Sequence, residues 1–263
     1  MTVYSNSFEG GTSGTAISAA NSGGASGDAF NSVASGVVFQ NTRAHGGTLS
    51  AGFSTAASSG YVAWYPTSPT SIAARGYFWF DTANNTGEFN LIGVYEANGN
   101  SMLIFRLSAG NILRAYKNVA PTSNIWAPTT AMPTGQWVRA ELLFEQGTTT
   151  SNGRARAAIF ANNSTTAIAD SGWLTGLNFG VGTNTPAHVR FGKGAPNSPV
   201  AGVAMDDTAV RSGADYTGNF IGPSVVPVVS TAYRWTAATS SYVPLSAYRW
   251  NGSGYSLLDG ATP

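Results

Sequence analysis

The chain has no cysteine among its 263 residues, which excludes a disulfide framework and any thiolate metal site. Charge is also scarce. Asp, Glu, Lys and Arg make up 10% of the residues, against about 25% in an ordinary soluble domain. Only Lys117 and Lys193 are lysines among thirteen basic residues, the net charge is +1, and no basic run occurs. Binding to duplex nucleic acid or to an anionic membrane needs clustered Lys and Arg, so neither partner is expected. No run approaches the roughly 18 apolar residues of a membrane span. The first residues, Met1 to Phe8, lack a basic region followed by an apolar one, so no signal peptide is read.

What the chain does have is 43% hydrophobic and 12% aromatic residues, enough apolar surface to offset the entropy of ordering a large core. Gly, Ser, Thr, Asn and Ala fill the rest, giving a neutral polar surface. Helical periodicity is nearly missing. Short β-rich runs alternate with Gly, Asn, Ser, Thr or Pro, which is the pattern of a sandwich or barrel. Strands are expected over residues 3–8, 37–39, 49–53, 61–65, 74–81, 88–96, 101–108, 111–119, 136–146, 154–160, 187–192 and 203–210. Residues 12–29 read as a long Gly-rich loop with little to pack, and Asn84 to Gly87 as a hairpin turn. In 136–146 the alternation places Val138, Ala140, Leu142 and Phe144 inward, with Arg139 and Glu141 toward solvent.

The texture changes near the end. Residues 1–222 read as the sandwich and 223–231 as a Pro/Val linker. Residues 232–263 then carry a repeat, in which Ala232-Tyr-Arg-Trp235 recurs as Ala247-Tyr-Arg-Trp250. Each copy reads as a β-hairpin, marginal by itself. Tyr233, Trp235, Tyr248 and Trp250 are therefore assigned to an assembly tail that docks on sister chains or other proteins.

Two segments resemble the concanavalin A-like lectin/glucanase superfamily, in particular its laminin-G-like branch. One is Gly135-Gln-Trp-Val-Arg-Ala-Glu-Leu-Leu-Phe144 with Arg154 to Phe160. The other is Val189-Arg-Phe-Gly192 with Gly202-Val-Ala-Met-Asp-Asp-Thr-Ala-Val-Arg211. The resemblance spans about residues 1–220 and implies an all-β, concanavalin A-like jelly-roll β-sandwich, here with a C-terminal hairpin-repeat extension. The terminal repeat is similar to the short Trp-containing hairpins that close virion proteins of actinobacterial phages.

Glycoside hydrolases of that superfamily carry E-x-D-x-x-E on one strand, so that acid and nucleophile share a face. No such run occurs here. Adjacent Asp206 and Asp207 should point to opposite faces of a strand. Glu88, Glu96, Glu141 and Glu145 read as solvated or turn-capping groups. His45, in a Gly turn, and His188, at a strand start, make neither a zinc site nor a catalytic triad by spacing. Calcium is the one ion that the resemblance admits, with Asp81, Asn84 and Asn85 or Asp206 and Asp207 as carboxylate and amide clusters. A glycan would stack on aromatics near loops: Trp64, Tyr65, Tyr95, Tyr116, Trp126 and Trp173 are the candidates, while Trp79 and Trp137 are assigned to packing. The expectation is a non-enzymatic virion structural protein, a minor tail or capsid decoration module, adhering to host surface glycans. It would be made in the host cytoplasm and released by lysis. The alternatives are a free carbohydrate-binding lectin and a glycan-cleaving enzyme.

Overall fold

A computed structural model describes residues 2–53, 60–67, 69–82, 88–119, 122–193, 202–224, 233–236, 241–244, 248–250 and 255–257. The chain divides into two units, residues 1–224 and 225–263. The first unit holds strands β1 (Thr2–Asn6), β2 (Ser32–Val33), β3 (Val37–Gln40), β4 (Ser50–Phe53), β5 (Gly60–Trp64), β6 (Ser71–Phe80), β7 (Phe89–Glu96) and β8 (Ser101–Ser108). These are followed by β9 (Ile112–Lys117), β10 (Ser123–Trp126), β11 (Trp137–Glu145), β12 (Gly153–Ala161), β13 (Ala167–Asp170), β14 (Leu174–Leu177), β15 (Pro186–Lys193) and β16 (Val203–Ser212).

They form two antiparallel sheets of a jelly-roll sandwich. One sheet has nine strands, in the order β13-β12-β11-β6-β16-β4-β3, with β1 also on β16 and β14 also on β12. The other has seven, in the order β10-β9-β8-β7-β15-β5-β2. Period-2 alternation explains the core. Ile72, Ala74, Phe78 and Phe80 of β6 join Val138, Ala140, Leu142 and Phe144 of β11 on the inner face. The seven-stranded sheet answers with Phe89, Leu91, Val94, Leu103, Phe105, Leu107, Val189 and Phe191. Phe89 sits at the hub: the rings of Phe53, Phe78 and Phe80 meet it edge-on at 5.4, 6.2 and 5.2 Å. Each such fully buried side chain contributes about 1.5–3 kcal/mol.

Three expectations are corrected here. Residues 12–29 are packed rather than loose: Ile17, Ser22 and Ser26 are buried. The buried Asn6 side chain ties this loop down by donating to Ser22 O (2.6 Å) and Asp28 O (2.9 Å) while accepting from Phe8 N (2.9 Å). Second, Arg139 and Glu141 do face away from the core, yet both are buried, at 1% and 0% exposure. The chain lays its own segments over this outer face. Arg139 pairs with Glu141 at 2.7 Å and donates to Asn162 O and Ser164 O. Gly222 N donates to both Glu141 oxygens, Tyr216 OH to Glu145, and Ser224 N to Tyr77 Oη. Residues 223 and 224 therefore belong with the sandwich, two positions past the expected boundary.

Third, Asp206 and Asp207 converge instead of diverging. The register of β16 on β6 shifts between Asp206 and Ala209, and Asp207 takes a left-handed φ of 44°. A bulge of this kind rotates successive side chains out of strict alternation. At this point the outer partner of β16 changes from β4 to β1. The Asp206 carboxylate fills the gap by accepting from His45 N (2.8 Å) and Gly46 N (3.4 Å), and Asp207 Oδ2 lies 2.6 Å from His45 Nδ1. Burial and the neighbouring Asp207 push the Asp206 carboxyl well above the usual carboxylate range.

In the second unit, β17 (Tyr233–Thr236) pairs with β18 (Ser241–Pro244), and β19 (Tyr248–Trp250) with β20 (Tyr255–Leu257), all antiparallel. Trp235 stands opposite Tyr242 and Trp250 opposite Tyr255. Each repeat copy is thus one hairpin. The expected turn at residues 84–87 and the linker stretch from 225 lie outside the described residues.

The buried ion pair yields a stability prediction. Arg139→Met strands Glu141 without its cation and should cost about 3–5 kcal/mol, whereas joining it to Glu141→Leu should recover much of that loss. Urea unfolding of the single and double variants checks both values.

Candidate functional site

At one rim of the sandwich the ends of β7, β8 and β9 meet the loop between β14 and β15. A cleft of about 370 Å³ opens there, lined by Glu96, Asn100, Ser101, Asn118, Val119, Asn178, Gly180, Thr183 and Asn184. Turn chemistry builds it. Thr183 N and Asn184 N both donate to Gly180 O, at 2.9 and 2.7 Å. Gly180 has φ 69°, and a Cβ there would lie 2.3 Å from Asn184 Oδ1, so the turn closes only around a glycine. Gln146 Nε2 anchors the loop from beneath by donating to Asn184 O at 2.6 Å.

The lining groups hold one another in place. Asn184 Nδ2 donates to Glu96 Oε1, and Asn98 Nδ2 donates to Glu96 Oε2 at 2.9 Å. Thr183 Oγ1 donates to Asn184 Oδ1 (2.8 Å), and Asn118 Nδ2 to Ser101 Oγ (2.8 Å). Amides and hydroxyls carry both donors and acceptors and keep capacity beyond these bonds. The cleft offers a fixed, two-way hydrogen-bonding surface of uncharged amides and hydroxyls around one carboxylate, Glu96, whose oxygens already accept from Asn184 and Asn98. That surface suits a ligand rich in hydroxyl groups.

Beside the rim, the outer face of the seven-stranded sheet carries a row of rings. His188 stacks parallel on Tyr95 with centroids 5.5 Å apart, and Tyr65 leans on His188 at 5.1 Å. Arg190, two residues along the same strand, lies between Tyr61 and Tyr95 with its guanidinium carbon 4.4 and 4.2 Å from the ring centres. Gly93 makes room for this layer, since a Cβ there would lie 2.5 Å from the Tyr95 ring. Burial and the nearby Arg190 charge lower the His188 imidazole to about 4. Its Nε2 is buried with no hydrogen-bond partner among the described residues.

The structure brings Tyr65 and Tyr95 together and separates the other expected glycan contacts. Trp64 is corrected outright: it is fully buried, stacked on Tyr4 with the Phe30 ring tilted against it, and its Nε1 donates to Ala29 O. Parity explains this, because Trp64 follows Val62 onto the core face while Tyr65, 48% exposed, turns outward. Tyr95 is 5% exposed and offers little free ring. Tyr116 lies under Arg106, Trp126 packs on Phe105, and Trp173 lies under Arg154 on the other sheet's edge. Trp79 and Trp137 meet edge-on at 5.9 Å on the outer face of the nine-stranded sheet. Side chains of Tyr233, Trp235, Tyr248 and Trp250 lie outside the described residues.

On the nine-stranded sheet, His45 stacks on Tyr77 at 3.7 Å, and its Nδ1 and Nε2 lie 2.6 and 2.7 Å from Asp207 Oδ2 and Asn162 Oδ1. This is the histidine–carboxylate contact that spacing alone gave no reason to expect. The His45 side chain is 2% exposed, and its partner Asn162 stands at the surface. Asp81 accepts from Trp79 Nε1 and Arg43, while Asn84 and Asn85 lie outside the described residues. Among the described residues, no three carboxylates or histidines converge as a metal site.

No family model and no curated protein matches the chain. Solved structures do. A protein of unknown function from Shewanella oneidensis MR-1 is 14% identical with a TM-score of 0.50, over 82% of this chain and 87% of that one. A sialidase from Trypanosoma rangeli is 13% identical with a TM-score of 0.45, over 79% of this chain and 30% of the sialidase. Alginate lyase vAL-1 from Chlorella virus is 9% identical with a TM-score of 0.42, over 59% and 76% of the two chains. The Shewanella likeness is one of fold. The expectation of a non-enzymatic chain is corrected: two of the similar structures are enzymes, and likenesses this distant assign no reaction.

His188 gives a pH prediction. Its folded pKa of about 4 lies below the ordinary 6.5, so above 6.5 it is neutral folded or unfolded. As pH falls from 6.5 toward 4 the unfolded chain takes the proton first, and the folded state loses stability. His188→Gln should flatten that part of the profile, read as the difference between variant and parent unfolding midpoints at stepped pH.

Proposed function

We propose that the sandwich recognises a glycan through the rim cleft. The observation that carries this reading is the cleft's lining: amides, hydroxyls and one engaged carboxylate, already held in place by mutual hydrogen bonds. Short polar side chains locked by turns lose little entropy on binding. Exposed Tyr65 supplies a ring on the neighbouring face, the one expected aromatic with substantial free surface. The sialidase and the alginate lyase among the similar structures are carbohydrate-active by name, in keeping with this reading. On the motifs around Trp137 and Asp206, we place the chain with the concanavalin A-like, laminin-G-like sandwiches.

The tail supports a second part of the proposal. Two copies of one aromatic hairpin at the chain's end suit a mount that assembles with sister chains or with other proteins of a virion, leaving the sandwich free to meet host surface glycans. Each hairpin is too small to be stable alone.

Calorimetric titration of glycans picked from an array tests the first part. Asn118→Ala and Asn184→Ala should each weaken binding several-fold, at about 0.5–1.5 kcal/mol per lost hydrogen bond, with unchanged thermal midpoints for Asn118→Ala. Glycan binding that ignores both substitutions would remove the cleft from the account. For the tail, residues 1–224 alone should fold and remain monomeric under sedimentation while the full chain forms a defined oligomer; a truncated protein that assembles as before refutes the mount.

A further inference from the structure

Most arginines of the described sandwich have a carboxylate or several backbone oxygens. Arg43 pairs with Asp81, Arg106 with Glu88, Arg139 with Glu141, Arg154 with Glu145 and Arg156 with Asp170. Arg75 donates to Asp207 O and Gly222 O. Arg190, like Arg114 and Arg211, makes no ion pair among the described residues. Its buried Nε has no partner, as is also so for Arg43 and Arg106, but those two have a carboxylate on their outer nitrogens.

Its geometry is nonetheless tightly set. The rings of Tyr61 and Tyr95 bracket the guanidinium at 4.4 and 4.2 Å, which fixes the plane of the fork and leaves its edge for hydrogen bonding. Arg190 stands opposite Gly93 on β7 and Ala63 on β5, two small buried residues, and the Tyr95 ring lies over Gly93. Its outer nitrogen reaches the β7–β8 turn: a Cβ on Gly99 would lie 3.4 Å from Nη2. Asn100, the next residue of that turn, lines the cleft. A second polar group on the same strand face is in the same condition, for His188 is 4% exposed and its Nε2 has no partner.

We infer that Arg190 is the specificity-determining residue of the glycan site, taking an anionic substituent, a carboxylate or a sulfate, on the sugar unit next to the cleft. A clamped guanidinium presents two parallel N–H donors that match a planar carboxylate or two sulfate oxygens. The cleft itself, lined by amides and hydroxyls with the Glu96 carboxylate held by Asn184 and Asn98, takes the adjoining hydroxyl-bearing unit. The inference rests on the cleft being the glycan site and adds the class of glycan.

The test titrates the full-length protein with a matched oligosaccharide set: a neutral glycan, its uronate counterpart and its sulfated counterpart, each at low and high salt. One or both anionic members should bind at least about tenfold more tightly than the neutral one, the scale of one charge-assisted contact. The stronger of the two identifies carboxylate or sulfate as the group recognised. Arg190→Gln should bring the ratio of anionic to neutral binding close to one; Arg190→Lys, which keeps the charge without the fork, should retain only a weak, salt-sensitive part of the preference. If Arg190→Gln fails to fold, Arg190→Lys carries the test. Equal binding of neutral and anionic members, or a preference that survives loss of the fork, overturns the inference and leaves the cleft standing. If no member of the set binds, the glycan reading falls and this inference falls with it.

Discussion

A nine-stranded sheet has two faces, and in this sandwich only one of them finds a partner sheet. The other carries Arg75, Tyr77, Arg139 and Glu141, groups that cannot be buried without partners and would otherwise need water. The chain supplies those partners from its own connections. Backbone atoms at 162 and 164 accept from Arg139, the 43–47 loop lies over Tyr77 and Trp137 through His45, and residues 216–224 cross to Glu145, Glu141 and Tyr77. Covered in this way, Arg139, Glu141 and Tyr77 find their partners within the chain.

The strands of the sandwich were legible because alternation survives even where burial is complete. The long ones, β6, β8, β11 and β16, fall within a few residues of their expected limits. The short ones, β2, β10, β13 and β14, have two to four residues and no alternation long enough to register. Parity also gave the correct face for Arg139 and Glu141 and the wrong environment. Facing away from the core equals facing water only when nothing lies over the sheet, and the covering segment 216–224 begins more than seventy residues later in the chain. Asp206 and Asp207 defeated parity for a local reason, a bulge where one neighbouring strand ends and another begins.

The candidate site was far less legible. Its lining comes from four turns around residues 96–101, 118–119, 178–180 and 183–184, and each of these reads in isolation as an ordinary loop. Nothing in Asn118 or Asn184 announces that the two share a cleft. Aromatics near loops were a better guide only where parity was applied with them: it separates buried Trp64 from exposed Tyr65 one residue later. The pairing of His188 with Tyr95 and the bracketing of Arg190 depend on cross-strand register between β15, β7 and β5, which sequence alone does not provide.

Scarcity of charge gives the few charges their weight. In a surface crowded with ions, one unpaired guanidinium would be screened and outnumbered. Here the sandwich arginines are mostly committed to carboxylates or backbone oxygens, and the surrounding surface is amide and hydroxyl. Beside the cleft, whose lining includes the Glu96 carboxylate, stands Arg190, bracketed by two tyrosines and facing a turn that the cleft shares. A protein built this way separates two tasks that charged proteins mix. On the proposed reading, amides and hydroxyls provide shape and hydroxyl recognition with little long-range pull, and the Arg190 fork selects among the compatible glycans.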